Sequence, residues 1–305
     1  MKVVIFGSKG LVGSSLVRCL PKSEKISEII PSTREDTNLF SFEDTKKFIE
    51  DVKPDFIINA AAKVGGILAN NSLRTEFILE NLKINMNILE AIVTNPKIIL
   101  INLGSSCIYP LNTENPIKES KLMTGKLEPT NSPYAMAKLT AIEIGDSLVK
   151  EHGHKIINLM PTNLYGPNDN FSDKSSHVIP GLIHRMHKAK IENIDSFEVW
   201  GSGKPLREFL YVDDLANAIQ FIIDNNIDEQ ILNIGSGYEV SIKGLAESLK
   251  EIINYKGDLF FNENLPDGNP RKLLDSSKIQ NLGWSPEIDL IQGLNLTYEW
   301  YKKSL

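Results

Sequence analysis

The sequence predicts an α/β protein: a doubly wound parallel sheet first, then a smaller α/β domain. Three observations carry this. Short apolar runs alternate with longer helical patterns from Lys2 to Met160, the order expected of a parallel sheet with crossover helices. The first run, Lys2–Phe6, opens at once into a glycine loop, Gly7-Ser8-Lys9-Gly10-Leu11-Val12-Gly13. Beyond Pro161 the strands become shorter and the loops longer. The expected domains are residues 1–166, with a return of the chain near 206–236, and the remainder of 167–305.

Lys2–Phe6 is apolar enough for a strand buried on both faces, and the helical pattern after it runs to Leu20. Ile26–Ile30 reads as the second strand, Phe42–Asp51 as the second helix, and Pro54–Ala62 as the third strand with its exit. Lys63-Val64-Gly65-Gly66 forms a loop, Arg74–Thr94 a long helix and Lys97–Leu103 the fourth strand. Residues 111–130, with Pro116, Gly125 and Pro129, form an irregular connection. A helix over Pro133–His152 and a strand over Ile156–Met160 complete the first half. Pro161–Pro167 then turns the chain out of the sheet, and the polar stretch Asn168–Ser176 covers it. A helix opens at His177 and ends near Lys190; Glu198–Gly203 is a short strand and turn. Arg207–Asp214 is a strand leading into a helix, with Asp213 or Asp214 near its N-cap. Residues 231–235 read as a strand, and 243–254 and 289–303 as helices.

Composition narrows the function. The 305 residues carry a formal net charge of −6, which gives no support for nucleic-acid binding. No apolar run approaches the roughly 18 residues of a membrane span, and the N-terminus lacks a signal-peptide pattern. A cytoplasmic protein without a membrane partner is expected. Two cysteines, Cys19 and Cys107, make no disulfide framework, and Cys19 falls at core spacing in the first helix. No metal site is assigned.

The glycine loop carries the first chemical signal. Gly7 allows the tight turn, Gly10 the close approach of a diphosphate, and Gly13 the packing of helix on strand. The helix N-terminus, at Leu11 and Val12, then faces the phosphates. The spacing is GxxGxxG rather than GxGxxG. Small residues at the exit of the third strand, Ala61 among them, let a dinucleotide lie flat. Near the end of the second strand stand Arg34 and, from the loop, Lys9; two cations there suit a ribose 2′-phosphate, so NADP(H) is expected. Glu35 and Asp36 argue the other way, and both cations could instead be solvated surface charges.

The second signal is Ser105, Tyr134 and Lys138. Tyr134 and Lys138 stand one helical turn apart on one face. An ammonium there favours the phenolate and is expected to lower the tyrosine pKa toward working pH. Such a tyrosine can exchange a proton with a carbonyl or alcohol oxygen, and a serine at a strand end can hold the same oxygen. Cys107 stands beside that serine.

Together the GxxGxxG loop, GSSCIYP, EPTNSPYAMAK, PTNLYGPNDNF, SHVIP and VWGSGKPLREFLYVDD resemble the extended short-chain dehydrogenase/reductases and, within them, the GDP-L-fucose synthase family. NAAAKVGGILANN and PDGNPRKLLD match that family too, so the likeness spans nearly the whole chain. The resemblance implies a Rossmann domain binding NADP(H) and a GDP-sugar-binding domain. It implies reduction of a GDP-4-keto-6-deoxy sugar by Ser105, Tyr134 and Lys138, and epimerisation at C3 and C5 by Cys107 and His177. Lys138 and His177 would also touch the cofactor. Arg185, Trp200, Arg207, Asp267 and Lys272 would hold the GDP-sugar, and a homodimer would form through segments 74–94 and 133–152. A GDP-6-deoxy-4-keto-heptose would present the same chemistry to a C4-reductase with little epimerase activity. A nucleotide-sugar 4-epimerase or 4,6-dehydratase shares the fold, though a dehydratase would want an acidic pair where Ser106-Cys107 stands. A non-catalytic NADP-binding regulator would be expected to lack Tyr134 or Lys138. Bland alternatives remain for single residues: Cys107 as packing, His177 as a helix-start residue, and Arg207 in a surface ion pair with Glu208 or Asp213. His184 and His187 read as surface residues, and His152 and His154 as solvated helix-end residues.

Overall fold

The computed structural model describes residues 1–172, 175–265 and 267–305. The first half consists of β1 (Lys2–Phe6), α1 (Leu11–Cys19), β2 (Glu28–Ser32), α2 (Phe42–Val52), β3 (Phe56–Asn59), α3 (Ile67–Ser72), α4 (Arg74–Ile92), β4 (Ile99–Leu103), α5 (Ser132–His152) and β5 (Ile156–Pro161). The second half adds β6 (Asn163–Tyr165), α6 (Val178–Ile191), β7 (Ser196–Trp200), β8 (Leu206–Tyr211), α7 (Val212–Asp224), β9 (Ile231–Ile234), β10 (Glu239–Ser241), α8 (Ile242–Ile253), β11 (Asp258–Asn262), β12 (Arg271–Lys272), α9 (Ser277–Asn281) and α10 (Leu290–Ser304).

Six parallel strands form one sheet in the order β2-β1-β3-β4-β5-β9. Strand side chains alternate between faces, so β1 feeds two cores. Val3 and Ile5 pack with Leu16 of α1 and with Leu215, Ile219 and Ile222 of α7. Val4 and Phe6 pack with Ile49 of α2, Ile84, Ile88 and Ile92 of α4, and Leu148 of α5. Each such side chain, fully enclosed, contributes about 1.5–3 kcal/mol. The chain runs from β1 to one neighbour, β2, and then crosses to the other, β3, so a crevice opens between β1 and β3 at their carboxyl ends.

A second unit is built on β8, which pairs with β6 and β12 in parallel and with β10 antiparallel. β7 and β11 form a separate parallel pair. Ile179, Leu182 and Met186 of α6, Leu245 and Leu249 of α8, and Leu294 and Tyr298 of α10 pack with Phe209 and Tyr211 of β8.

Several boundaries differ from those expected. β2 begins two residues late because its parallel register with β1 sets Lys2 opposite Glu28, where the side chains also form an ion pair at 3.3 Å. Pro31 is accommodated because β2 is an edge strand. Residues 163–165 are a strand rather than a simple turn, and residues 206–211 join the second sheet; the return to the large sheet is made by α7 and β9. The helix α3 and the short strands β10, β11 and β12 carry no periodic signal of their own. His154 is not solvated: it is 3% exposed, with Nε2 3.2 Å from the Val93 carbonyl, because Gly153, in the left-handed region, folds the chain back over the end of α5. Cys19 is buried, as expected. No helix among the described residues is long and apolar enough to cross a membrane.

Candidate active site

The crevice between β1 and β3 is shaped by glycine. Gly7 has φ +76°, and a Cβ there would come within 2.8 Å of the Ala61 backbone. A Cβ on Gly13 would overlap the Gly7 carbonyl oxygen, so α1 sits directly against the loop. Gly10 differs: an added Cβ would meet nothing nearer than Gly7 O at 3.5 Å, so free space lies before the helix. Gly10 is also the N-cap of α1, with no side-chain cap and no acid in the first turn. The first N–H groups of the helix, at Leu11, Val12 and Gly13, therefore have no acceptor within it. An uncapped, acid-free helix start with open space before it fits a diphosphate.

At the end of β2, Lys9 lies 3.5 Å from Glu35, both largely exposed. Arg34 is exposed and makes no ion pair among the described residues. Asp36 accepts from the Thr33 amide at 2.8 Å and its hydroxyl at 2.7 Å, which holds its carboxyl below the usual range. The acid that could take ribose hydroxyls is thus tied into its own turn.

β4 ends beside Ser105. Its hydroxyl accepts from the Cys107 amide at 3.1 Å and starts the 3-10 turn Ser106–Ile108. Tyr134, in the first turn of α5, stands beside Ser105, close enough for the serine hydroxyl to favour its phenolate. Lys138, one turn on and 2% exposed, donates to the Leu103 carbonyl at 2.7 Å, tying α5 to the end of β4. Its Nζ lies 5.8 Å from the centre of the Tyr134 ring. Burial dominates the electrostatics here. It pushes the Tyr134 phenol up, with the nearby Cys107 adding to the rise and the Ser105 hydroxyl opposing it. It pushes Lys138 down to about 8. The expected fall in the Tyr134 pKa is therefore corrected: desolvation outweighs the ammonium, and the proton stays on the phenol.

The Lys63–Gly66 loop borders this centre through Phe77, whose ring meets Tyr134 edge-on at 6.5 Å. Asn81 grips the Lys63 backbone at both its N–H and its carbonyl, while Lys63 Nζ pairs with Glu76 and Glu80. Gly66 N–H donates to Ser175 O at 3.0 Å, which joins the loop to the stretch before α6. Asn168 anchors that stretch to Ser14 of α1 at 3.0 Å. Within the cover expected over 168–176, Asp173 and Lys174 lie outside the described residues. His177 is the N-cap residue of α6. One side is open to solvent, yet the surrounding protein desolvates the imidazole and lowers its pKa.

In the second unit the Arg185 guanidinium lies 5.1 Å from the half-exposed Trp200 ring and 5.2 Å from Phe197, and donates to Glu198 O at 3.2 Å. Asp267 accepts from the Ser202 amide at 2.6 Å and its hydroxyl at 2.7 Å, so it shapes the Gly201–Gly203 turn. Lys272 sits opposite Arg207 in the β12–β8 register. Desolvation lowers the Arg207 pKa, while Cys107 and Asp267 oppose the fall, and its Nη1 donates to the Leu206 carbonyl at 2.8 Å. It is not in a surface ion pair with Glu208 or Asp213. Strand alternation turns Glu208 to the opposite, buried face, and Asp213 pairs with Arg18 at 2.6 Å. His184 and His187 are part-buried, bonded to Tyr301 at 2.8 Å and Tyr298 at 2.9 Å, both on α10.

Two features escaped the sequence reading. One is the buried Glu208. The other is a row of amides under the site: Asn59, Asn102 and Asn158 are register partners on β3, β4 and β5. Asn59 donates to Asn85 at 2.9 Å and Asn102 to Asn158 at 3.1 Å. The signal was present: three strands each place Asn after two aliphatic residues, at Ile57-Ile58, Leu100-Ile101 and Ile156-Ile157.

Comparison with known proteins agrees with this geometry. Residues 3–235 match the model of the NAD dependent epimerase/dehydratase family. A curated relative from Arabidopsis thaliana, "Putative GDP-L-fucose synthase 2", is 48% identical over 100% of this chain and 92% of its own. The solved GDP-L-fucose synthetase of Naegleria fowleri bound to NADP superposes with a TM-score of 0.90 at 29% identity, over 99% of this chain and 94% of its own. A solved GDP-6-OMe-4-keto-L-xylo-heptose reductase from C. jejuni superposes with a TM-score of 0.91 at 32% identity, over 100% and 98%.

Proposed function

The chain belongs to the NAD dependent epimerase/dehydratase family, among its GDP-L-fucose synthases, and on that premise we propose that it reduces a GDP-4-keto-6-deoxy sugar at C4 with NADPH, after epimerising C3 and C5. The observation that carries this reading is the place of Ser105: its hydroxyl takes the backbone N–H of the thiol suited to epimerisation, Cys107, and stands beside the phenol suited to proton donation, Tyr134.

The start of α1, with Gly7, Gly10, Leu11, Val12 and Gly13, takes the diphosphate of the cofactor; Ala61 floors it, Lys9 and Arg34 meet the 2′-phosphate, and Lys138 and His177 close its reactive end. When bound, NADPH supplies the hydride for C4. Arg185, Trp200, Arg207, Asp267 and Lys272 hold the GDP-sugar, with Arg207 and Lys272 on its diphosphate; Asp267 acts through the Ser202 turn. The C4 ketone acidifies the protons on C3 and C5. Cys107 and His177 remove and return them on opposite faces while Ser105 and Tyr134 hold the enolate oxygen. Tyr134, protonated because buried, then gives its proton to the C4 oxygen as the alcohol forms. We further propose a cytoplasmic homodimer joined through α4 and α5.

The test is NMR in D2O with GDP-4-keto-6-deoxymannose, first without and then with NADPH. Deuterium at C3 and C5, followed by a reduced C4, is expected. Reduction without exchange would remove the epimerase step from the proposal. The likeness to a heptose reductase favours a second reading, reduction of a GDP-6-deoxy-4-keto-heptose; turnover of the heptose and not of the hexose would select it.

A further inference from the structure

We propose that Glu208 is a positioning residue for the nucleotide-sugar: its buried carboxylate fixes both strands that flank Arg207. The inference rests on the reading of Arg207 as a contact of the GDP diphosphate. Glu208 is 0% exposed on β8, on the face opposite Arg207. Its two oxygens accept from the Gly237 amide at 2.8 Å and the Leu274 amide at 3.0 Å. The two amide bonds oppose the upward pull of burial on its pKa, and the Thr162 hydroxyl donates to the Glu208 main-chain carbonyl at 3.2 Å. No space is left over: a Cβ on Gly235 would overlap the carboxylate.

Three segments thus converge on one residue: the turn after β9 at Gly235–Gly237 and the chain after β12 at Leu274 meet its carboxylate, and the exit of β5 at Thr162 meets its main-chain carbonyl. β10 starts two residues beyond Gly237, and β12 ends two residues before Leu274. These strands set Val240 on one side of Arg207 and Lys272 on the other. The carboxylate therefore determines where the large sheet hands over to the second unit, and at what register Arg207 and Lys272 lie. A glutamine cannot replace it, since its amide nitrogen would face one of the two N–H donors.

The experiment compares Glu208→Gln, Arg207→Ala and the double variant. Glu208→Gln is expected to raise the KM for GDP-4-keto-6-deoxymannose and the Kd for GDP by roughly tenfold, to leave kcat within about threefold, and to leave NADPH affinity within about twofold. Because Glu208 acts through Arg207 and Lys272, its effect on GDP affinity should be smaller in the Arg207→Ala background than in the wild type, so that the two losses do not multiply in the double variant. Wild-type GDP affinity in Glu208→Gln, or effects that multiply in the double variant, would overturn the proposal. Should Glu208→Gln not fold, Gly235→Ala displaces the same carboxylate and carries the same expectation; loss of NADPH binding in both would overturn the proposal by making Glu208 a requirement of the whole fold. A wild-type protein that binds NADPH but not GDP would instead overturn the nucleotide-sugar reading, and this inference with it.

Discussion

At the residue scale, burial decides which groups carry protons. Tyr134 keeps its proton because its phenol is desolvated, which suits the donor role proposed for it. Tyr134→Phe should lower NADPH oxidation on the order of 10²- to 10⁴-fold while NADPH binding, followed by fluorescence titration, is retained. Lys138 is held at about 8, well below the ordinary lysine value. Above that value the folded protein loses the ammonium while the unfolded chain keeps it. The contribution of Lys138 to stability therefore rises with pH from about 8 toward the ordinary value, and activity that needs the ammonium falls over the same window. Lys138→Met should accordingly abolish that limb of the pH–rate profile and show a thermal midpoint at pH 7 no lower than wild type. That Tyr134 and Lys138 would lie together at the end of the fourth strand, beside Ser105, was readable from their spacing and their place in the chain. Their protonation was not, since it depends on Phe77, Cys107 and other groups from distant segments. His154 was misjudged for the same reason: its neighbour Val93 belongs to another part of the chain.

At the element scale, α1 separates two duties of its glycines. Gly13 has no room for a methyl group, whereas Gly10 has room that a diphosphate would otherwise occupy. Gly13→Ala should lower both the thermal midpoint and NADPH affinity. Gly10→Ala should weaken NADPH binding with little change in the midpoint; equal loss of stability in both would refute the distinction. The buried strands β1, β3, β4 and β5 were legible because both faces are covered, which makes each a continuous apolar run. β6, β10 and β12 were not, because they are two or three residues long and exist through pairing with β8. β2 was found but shifted, since its register belongs to β1.

At the scale of the whole molecule, the exposed Leu79 and Met86 of α4 and Met136 of α5 offer an apolar face on the proposed dimer helices. Light scattering should give twice the chain mass for the wild type. Leu79→Glu combined with Met136→Glu should give a monomer that still binds NADPH; an unchanged dimer would place the contact elsewhere. The change of pattern beyond Pro161, where short strands such as β6, β10 and β12 follow the longer ones, was readable. The crossing was not, because β8 and β9 are close in sequence yet lie in different sheets, a choice made by partners far along the chain.

The amide row of Asn59, Asn102 and Asn158 has one more consequence. None of its members ionises, so the platform beneath the site keeps the same shape whatever proton traffic passes above it. The row would act as an insulator: in the proposed reaction the moving charges stay with Ser105, Tyr134, Lys138, Cys107 and His177, and the sheet beneath them has nothing to exchange.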